Sequence, residues 1–225
     1  MKKSRFFSAK NIAYLAVLLA LVIVLQIWAG GVKIGPTSVS FVLIPIVLGA
    51  ILLGPAAGAF LGCAFGVVVI IMGVMGADYF TFVVFSDHPV LTVLLCLVKG
   101  AAAGFVAGIL FKLLRGKNES VAVLVSALAA PVVNTGLFIL GALLMSDTLS
   151  ANFVADGQTV LYFLVIVCAG LNFVVEFIIN AVASPVIYTV ARVVGKKVEG
   201  RFFRKGASPE PEQNAQPVSC KERVK

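Results

Sequence analysis

Three polar residues recur at four-residue spacing in GLNFVVEFIINA, Gly170 to Ala181: Asn172, Glu176 and Asn180. On an α-helix each step of four drifts by only about 40°, so an amide, a carboxylate and a second amide share one stripe. Their neighbours are apolar enough to lie in a bilayer, where an ionised side chain at the centre costs about 3 kcal/mol on insertion scales. Lys99, in LLCLVKGAAAG, is a second charge inside an apolar run. Asn134 and Thr135 follow Pro131 in APVVNTG, and Gln26 and Trp28 lie near the end of the first apolar run. Two chemistries fit these residue types. Lys99 and Glu176 can neutralise each other as an interior ion pair. Alternatively both face a cavity and, with the amides around them, bind a polar solute that carries several hydrogen-bonding groups. The candidates for that second role are Lys99, Asn134, Asn172, Glu176, Gln26 and Trp28. Amides on neighbouring spans favour the cavity, because a bare ion pair has no need of them. Trp28 either stacks on a ligand ring at the cavity mouth or anchors the helix at the interface.

Catalytic chemistry lacks its parts. The one histidine, His88, stands beside Pro89 in a connection. There is no Gly-x-Ser-x-Gly and no phosphate-binding Walker motif, so any use of ATP belongs to another chain. Cys63, Cys96 and Cys168 fall within apolar runs and Cys220 in the tail, without metal-ligand spacing. The sequence therefore predicts no enzyme, no metal site and no cofactor. Asp78 and Asp87 read as solvated loop acids.

The elements that position the polar residues must be membrane helices. Of 225 residues 60% are hydrophobic and only 12% charged, and the mean hydropathy is +1.08. A soluble domain of this length has no core large enough for that much apolar side chain. Periodicity and breaks predict six spans, at about 11–29, 40–53, 56–75, 90–114, 121–145 and 159–190. The second is short and holds Pro45; the fifth holds Pro131. The stretches 76–89 and 146–158 read as connections. Gly58, Gly62 and Gly66, and likewise Gly100, Gly104 and Gly108, occur at four-residue spacing that lets helix backbones approach closely.

The net charge of +8 is unevenly placed. Lys2, Lys3, Arg5 and Lys10 precede the first span, Lys112, Arg115 and Lys117 share one loop, and a basic group from Arg192 onward closes the chain. The alternate loops hold Lys33 as their one Lys or Arg, along with Asp78, Asp87, Asp147 and Asp156. This is the positive-inside pattern of a six-span protein with both termini cytoplasmic, not a nucleic-acid footprint. The domain reading is a basic N-terminus over 1–10, a membrane domain over 11–194 and a basic, then disordered, cytoplasmic tail over 195–225.

The stretch SVSFVLIPIVLGAILLGPAAGAFLGCAFG, with its Gly49–Ala59 turn of the form G-A-x-x-L-G-P-x-A-G-A, resembles the second and third helices of substrate-binding S components of energy-coupling factor (ECF) vitamin transporters. Ala16-x-x-x-Ala20 in LAVLLALVIV is similar to the small-residue motif by which such components contact their coupling subunit. The resemblance covers about 11–194. It implies a multi-pass protein of the bacterial cell membrane that captures a vitamin-like solute from outside, of the riboflavin, folate or pantothenate kind. It implies a lid formed by the Gly30–Ser40 loop, and docking through Ala16 and Ala20 on a transmembrane coupling subunit that carries two ATPases. Three other readings compete: a stand-alone secondary transporter with Glu176 as its ion or proton site, a small intramembrane enzyme, and an assembly protein held by an internal Lys99–Glu176 bridge.

Overall fold

The computed structural model describes residues 9–29, 33–34, 37–38, 41–155 and 157–195. The basic N-terminus, the tail beyond Gly195 and most of the Gly30–Ser40 loop lie outside the described residues. Helix α1 covers Ala9–Ala29. A two-rung antiparallel hairpin follows, β1 (Lys33–Ile34) with β2 (Thr37–Ser38), in register Lys33 to Ser38 and Ile34 to Thr37. Apart from this two-rung hairpin the described residues form only helices and their connections, as the all-helical reading of the sequence expects. Helices α2 (Leu43–Leu53), α3 (Pro55–Val74), α4 (Tyr79–Asp87), α5 (Pro89–Leu114), α6 (Glu119–Leu143) and α7 (Ser146–Asn152) come next. The last element is continuous but changes its winding. A turn of α-helix, α8 (Val160–Tyr162), passes into a π-helical segment, Phe163–Gly170, and then into α9 (Leu171–Gly195).

Five of these elements are long and apolar enough to cross a membrane: α1, α3, α5, α6 and the continuous 160–195 element. The predicted second span is different. Helix α2 has 11 residues, which reach only about 16 Å at 1.5 Å per residue, against about 30 Å of bilayer hydrocarbon. It survives because it is enclosed. Leu43, Ile46, Val47, Ala50 and Ile51 are fully buried, at the centre of a core to which α1, α3, α5, α6 and α9 all contribute. The α2–α3 break has a local cause. Gly54 adopts φ 107°, a region open to glycine, and Pro55 starts α3 at a position where its missing N–H is no loss.

Helices α3 and α5 interlock through their glycines. A Cβ placed on Gly58 would meet the Gly104 backbone, one on Gly62 the Gly100 backbone, and one on Gly66 the Cys96 carbonyl. The facing numbers run in opposite directions along an antiparallel pair. The sequence spacing identified both glycine rows; the structure shows that each is the other's partner.

The aromatic-rich connection and the polar loop of the sequence reading both contain short helices. Phe80 and Val84 of α4, Leu149 of α7, Met145, and Phe163, Leu164 and Cys168 of the π segment form a second core. Helix α6 begins two residues earlier than its apolar pattern, because the Asn118 side chain accepts from the Ser120 and Val121 amides at 3.0 and 3.3 Å and caps the helix.

The glycine seam predicts a sharp contrast. Gly62→Val should cost about 1–3 kcal/mol or more through overpacking, seen as a lower thermal midpoint and less monodisperse protein in detergent. Gly116→Ala, where an added Cβ has no heavy atom within 4 Å, should leave both unchanged.

Candidate substrate-binding site

A cavity opens at the end of the bundle that holds the C-terminal end of α1 together with α4 and α7. Seven elements wall it. Gln26 comes from α1, Phe65 and Val69 from α3, Asp78, Phe80 and Thr81 from the start of α4, and Lys99 from α5. Asn134, Thr135 and Phe138 come from α6, Cys168 and Ala169 from the π segment, and Asn172, Phe173 and Glu176 from α9. The short α2 contributes nothing to the wall. Five of the six side chains expected from the sequence to bind substrate thus meet in one place, from four separate helices.

Helix geometry explains how each arrives. Gln26 stands on the buried face of α1 with Leu18 and Val22, at spacings of four. Lys99 is next to Gly100, where α3 and α5 touch, so its side chain leaves the seam beside Phe65, whose ring also packs on Gly100. Asn134 lies one turn beyond Pro131, which is buried within α6 and has no amide to donate. Asn172 and Glu176 share a face of α9 one turn apart, and Glu176 is only 3% exposed.

The third member of the stripe departs from the pattern. Asn180 is buried below the cavity, where its Nδ2 donates to the Glu176 carbonyl at 2.8 Å. Trp28 departs too: it is 65% exposed, does not line the cavity, and its ring sits 6.1 Å from that of Phe41. That position is the one expected of an interfacial anchor.

The Lys99 ammonium lies 5.1 Å from the Phe138 ring centroid and 6.0 Å from that of Phe65. Aromatic faces attract a cation at these distances. Among the described residues Lys99 makes no ion pair within 4.0 Å, with Glu176 or any other carboxylate. Gln26 Oε1 and Asn134 Oδ1 are buried and accept no hydrogen bond among the described residues. Desolvated acceptors of this kind cost about 1–3 kcal/mol each until a donor reaches them.

Sequence reasoning missed several wall residues. Asp78 is not simply a solvated loop acid: it stands in the wall, and the Thr81 hydroxyl donates to its Oδ2 at 2.6 Å. The three-residue spacing of Asp78 and Thr81 at a helix start is the signal that was available. The aromatic wall gave no such signal. Phe80 packs 5.5 Å from Phe138 and 5.3 Å from Phe153, contacts between elements far apart in sequence.

A membrane bundle with a polar, aromatic-walled cavity at one end is the setting in which the family comparison is read. The model of the ECF transporter substrate-specific component matches residues 10–188. The chain belongs to that family. A search of curated proteins gives no match. This substrate-specific component is accordingly a multi-pass membrane protein of a transporter family, and its cavity is the place in the described fold where charged groups, amides and rings converge.

Thermal unfolding tests the two chemistries of Lys99. Removing one partner of a buried ion pair costs about 3–5 kcal/mol. Lys99→Met should instead keep the detergent-solubilised substrate-specific component within about 1 kcal/mol of the native chain, because the methionine stem retains the contacts with both rings.

Proposed function

We propose that the chain is the substrate-binding subunit of an ATP-driven importer, and that the cavity captures a vitamin-like micronutrient from outside the cell. The reading rests on one observation above others: Lys99, Gln26, Asn134, Asn172 and Glu176 converge on a single aromatic-walled cavity. The substrate carries an anionic or acceptor group for Lys99 and N–H or O–H donors for the Gln26 and Asn134 oxygens. It also carries a ring that packs against Phe65 or Phe138. Riboflavin- and folate-like molecules combine these features; a pantothenate-like molecule supplies the carboxylate and the donors without the ring.

The distribution of charge supports an outward cavity. Lys10, Lys112, Arg115, Lys117 and Arg192 fall at the end of the bundle away from the cavity, which the positive-inside rule assigns to the cytoplasm. On this orientation α2 counts as the sixth, incomplete span of a protein of the bacterial cell membrane. The subunit binds and does no chemistry of its own.

Transport then requires a transmembrane coupling subunit with two ATPases. Helix α1 offers the docking face: Ala16 and Ala20 are exposed on it, beside Val17, Leu21 and Val24. Small residues at four-residue spacing let a partner helix approach. The buried Glu176 carboxyl in the wall keeps one other mechanism in view, a stand-alone secondary transporter in which it carries a proton.

Mass spectrometry of small molecules released from the purified protein should yield one such compound in near-stoichiometric amount, strongly reduced in Lys99→Ala and Glu176→Gln. Ala16→Trp and Ala20→Trp should retain that compound but lower cellular uptake at least tenfold. Uptake that persists after deletion of the host's coupling subunit would favour the secondary transporter.

A further inference from the structure

A second depression lies on the lipid-facing side of the bundle, between α6 and the π segment. Val132, Thr135, Gly136 and Ile139 form one wall; Val165, Ala169, Gly170 and Phe173 form the other. Thr135 is its one polar side chain. Val132 and Val165 are exposed on the apolar surface, as are Leu140 and Ile166 nearby. Three residues, Thr135, Ala169 and Phe173, line both this groove and the polar cavity. The two spaces therefore share a wall one side chain thick.

The backbone accounts for the gap. A π-helical turn is wider than an α-turn and displaces the residues that follow it. Here it spans Phe163–Gly170 and supplies Val165, Ala169 and Gly170 to the groove. On the facing helix Gly136 leaves open space: a Cβ built there has no heavy atom within 4 Å. Asn134 and Gly136 are two residues apart on α6 and point to nearly opposite sides of it, so on this helix the polar cavity and the groove meet at Thr135, which lies between them and lines both.

We propose that the groove is the apolar arm of the same binding site, so that the cargo is an amphiphile. Its polar head sits among Lys99, Asn134 and Glu176. Its apolar part passes between Thr135 and Ala169 and lies against Gly136, Val132 and Val165. This rests on the substrate-binding reading of the polar cavity and replaces the riboflavin-, folate- or pantothenate-like cargo with another class of micronutrient: a small compound with a hydrogen-bonding head and an alkyl or isoprenoid-like arm. The wall shared through Thr135, Ala169 and Phe173 favours this occupant over a bilayer acyl chain or a partner helix, neither of which needs a groove continuous with a polar cavity.

The test uses two homologous series, n-alkyl carboxylates and n-alkylamines of about four to ten carbons, because together they offer both head charges. Ligand-induced thermal stabilisation is measured on the full chain in detergent, native and with Gly136→Leu or Val132→Trp, which fill the groove from its α6 wall at positions one turn apart. In one series the half-saturating concentration should fall with each added methylene, by up to about fourfold. Either groove variant should abolish that dependence, while the shortest members bind the native and variant proteins alike. Lys99→Ala should weaken every member of a responding carboxylate series.

A chain-length dependence equal in the native and both variant proteins would place the chains in detergent and overturn the proposal. So would stabilisation by neither series. Release of a compact, wholly polar compound in near-stoichiometric amount would also overturn it, yet leave the substrate-binding reading intact. Release of a phospholipid whose binding is insensitive to Lys99→Ala would assign the groove to the bilayer.

Discussion

The close approach of α3 and α5 is the constraint on which the rest of the bundle depends. Lipid tails are as apolar as leucine, so helices in a bilayer gain little from hydrophobicity and associate through contact and hydrogen bonding. Three glycines of α3 set against two glycines and the Cys96 carbonyl of α5 bring backbone to backbone along several turns. That contact fixes both the spacing and the rotation of the two helices. Rotation matters most for function. Lys99 follows from the position of Gly100 in the seam, and Phe65 from its place between Gly62 and Gly66. A rotation of either helix would carry the ammonium away from the wall of the cavity.

The seam also permits the division of the interior into an apolar and a polar end. Around α2 every neighbouring helix contributes apolar side chains, and this core carries no charge. Beyond the start of α2 the bundle lacks a central helix, and there the polar side chains gather. A polar group in that space is costly unless paired; the cavity holds an ammonium near two rings and, among the described residues, the Gln26 and Asn134 amide oxygens accept no hydrogen bond. On the proposed substrate-binding reading, such a site is organised in advance for a ligand that supplies the missing partners. The second core, built from α4, α7 and the π segment, holds Phe80 over the same space and joins the ends of the long helices.

Much of this was legible in the residues because membrane helices obey strong local rules. The spans, the two glycine rows, the stop at Gly54-Pro55 and the charges within apolar runs all follow from hydropathy, backbone freedom and the cost of charge in hydrocarbon. Lys99 and Glu176 of the wall were found by that last argument, and Gln26, Asn134 and Asn172 by the related cost of placing an amide in hydrocarbon. Three further residues show where local rules stop. Trp28 is amphipathic, and an interface satisfies it as well as a ligand does. Asn180 continues a four-residue stripe, yet a buried amide can bond within its own helix and leave the cavity to its neighbours. Asp78 looked like a loop acid because nothing local shows that α4 turns back over the bundle.

The sequence by itself determined a basic-ended membrane protein, its long helices and the polar residues that those helices had to justify. Hydrophobic length and small-residue spacing are properties of single segments, so a single segment reveals them. Only the tertiary structure decided which polar residues meet, that Lys99 rests on Phe65 and Phe138, and that α4 and the π segment complete the wall. Those outcomes depend on the rotation and depth of packed helices, and on a local change of winding. They arise from contacts between residues tens of positions apart, which no periodicity within one helix encodes.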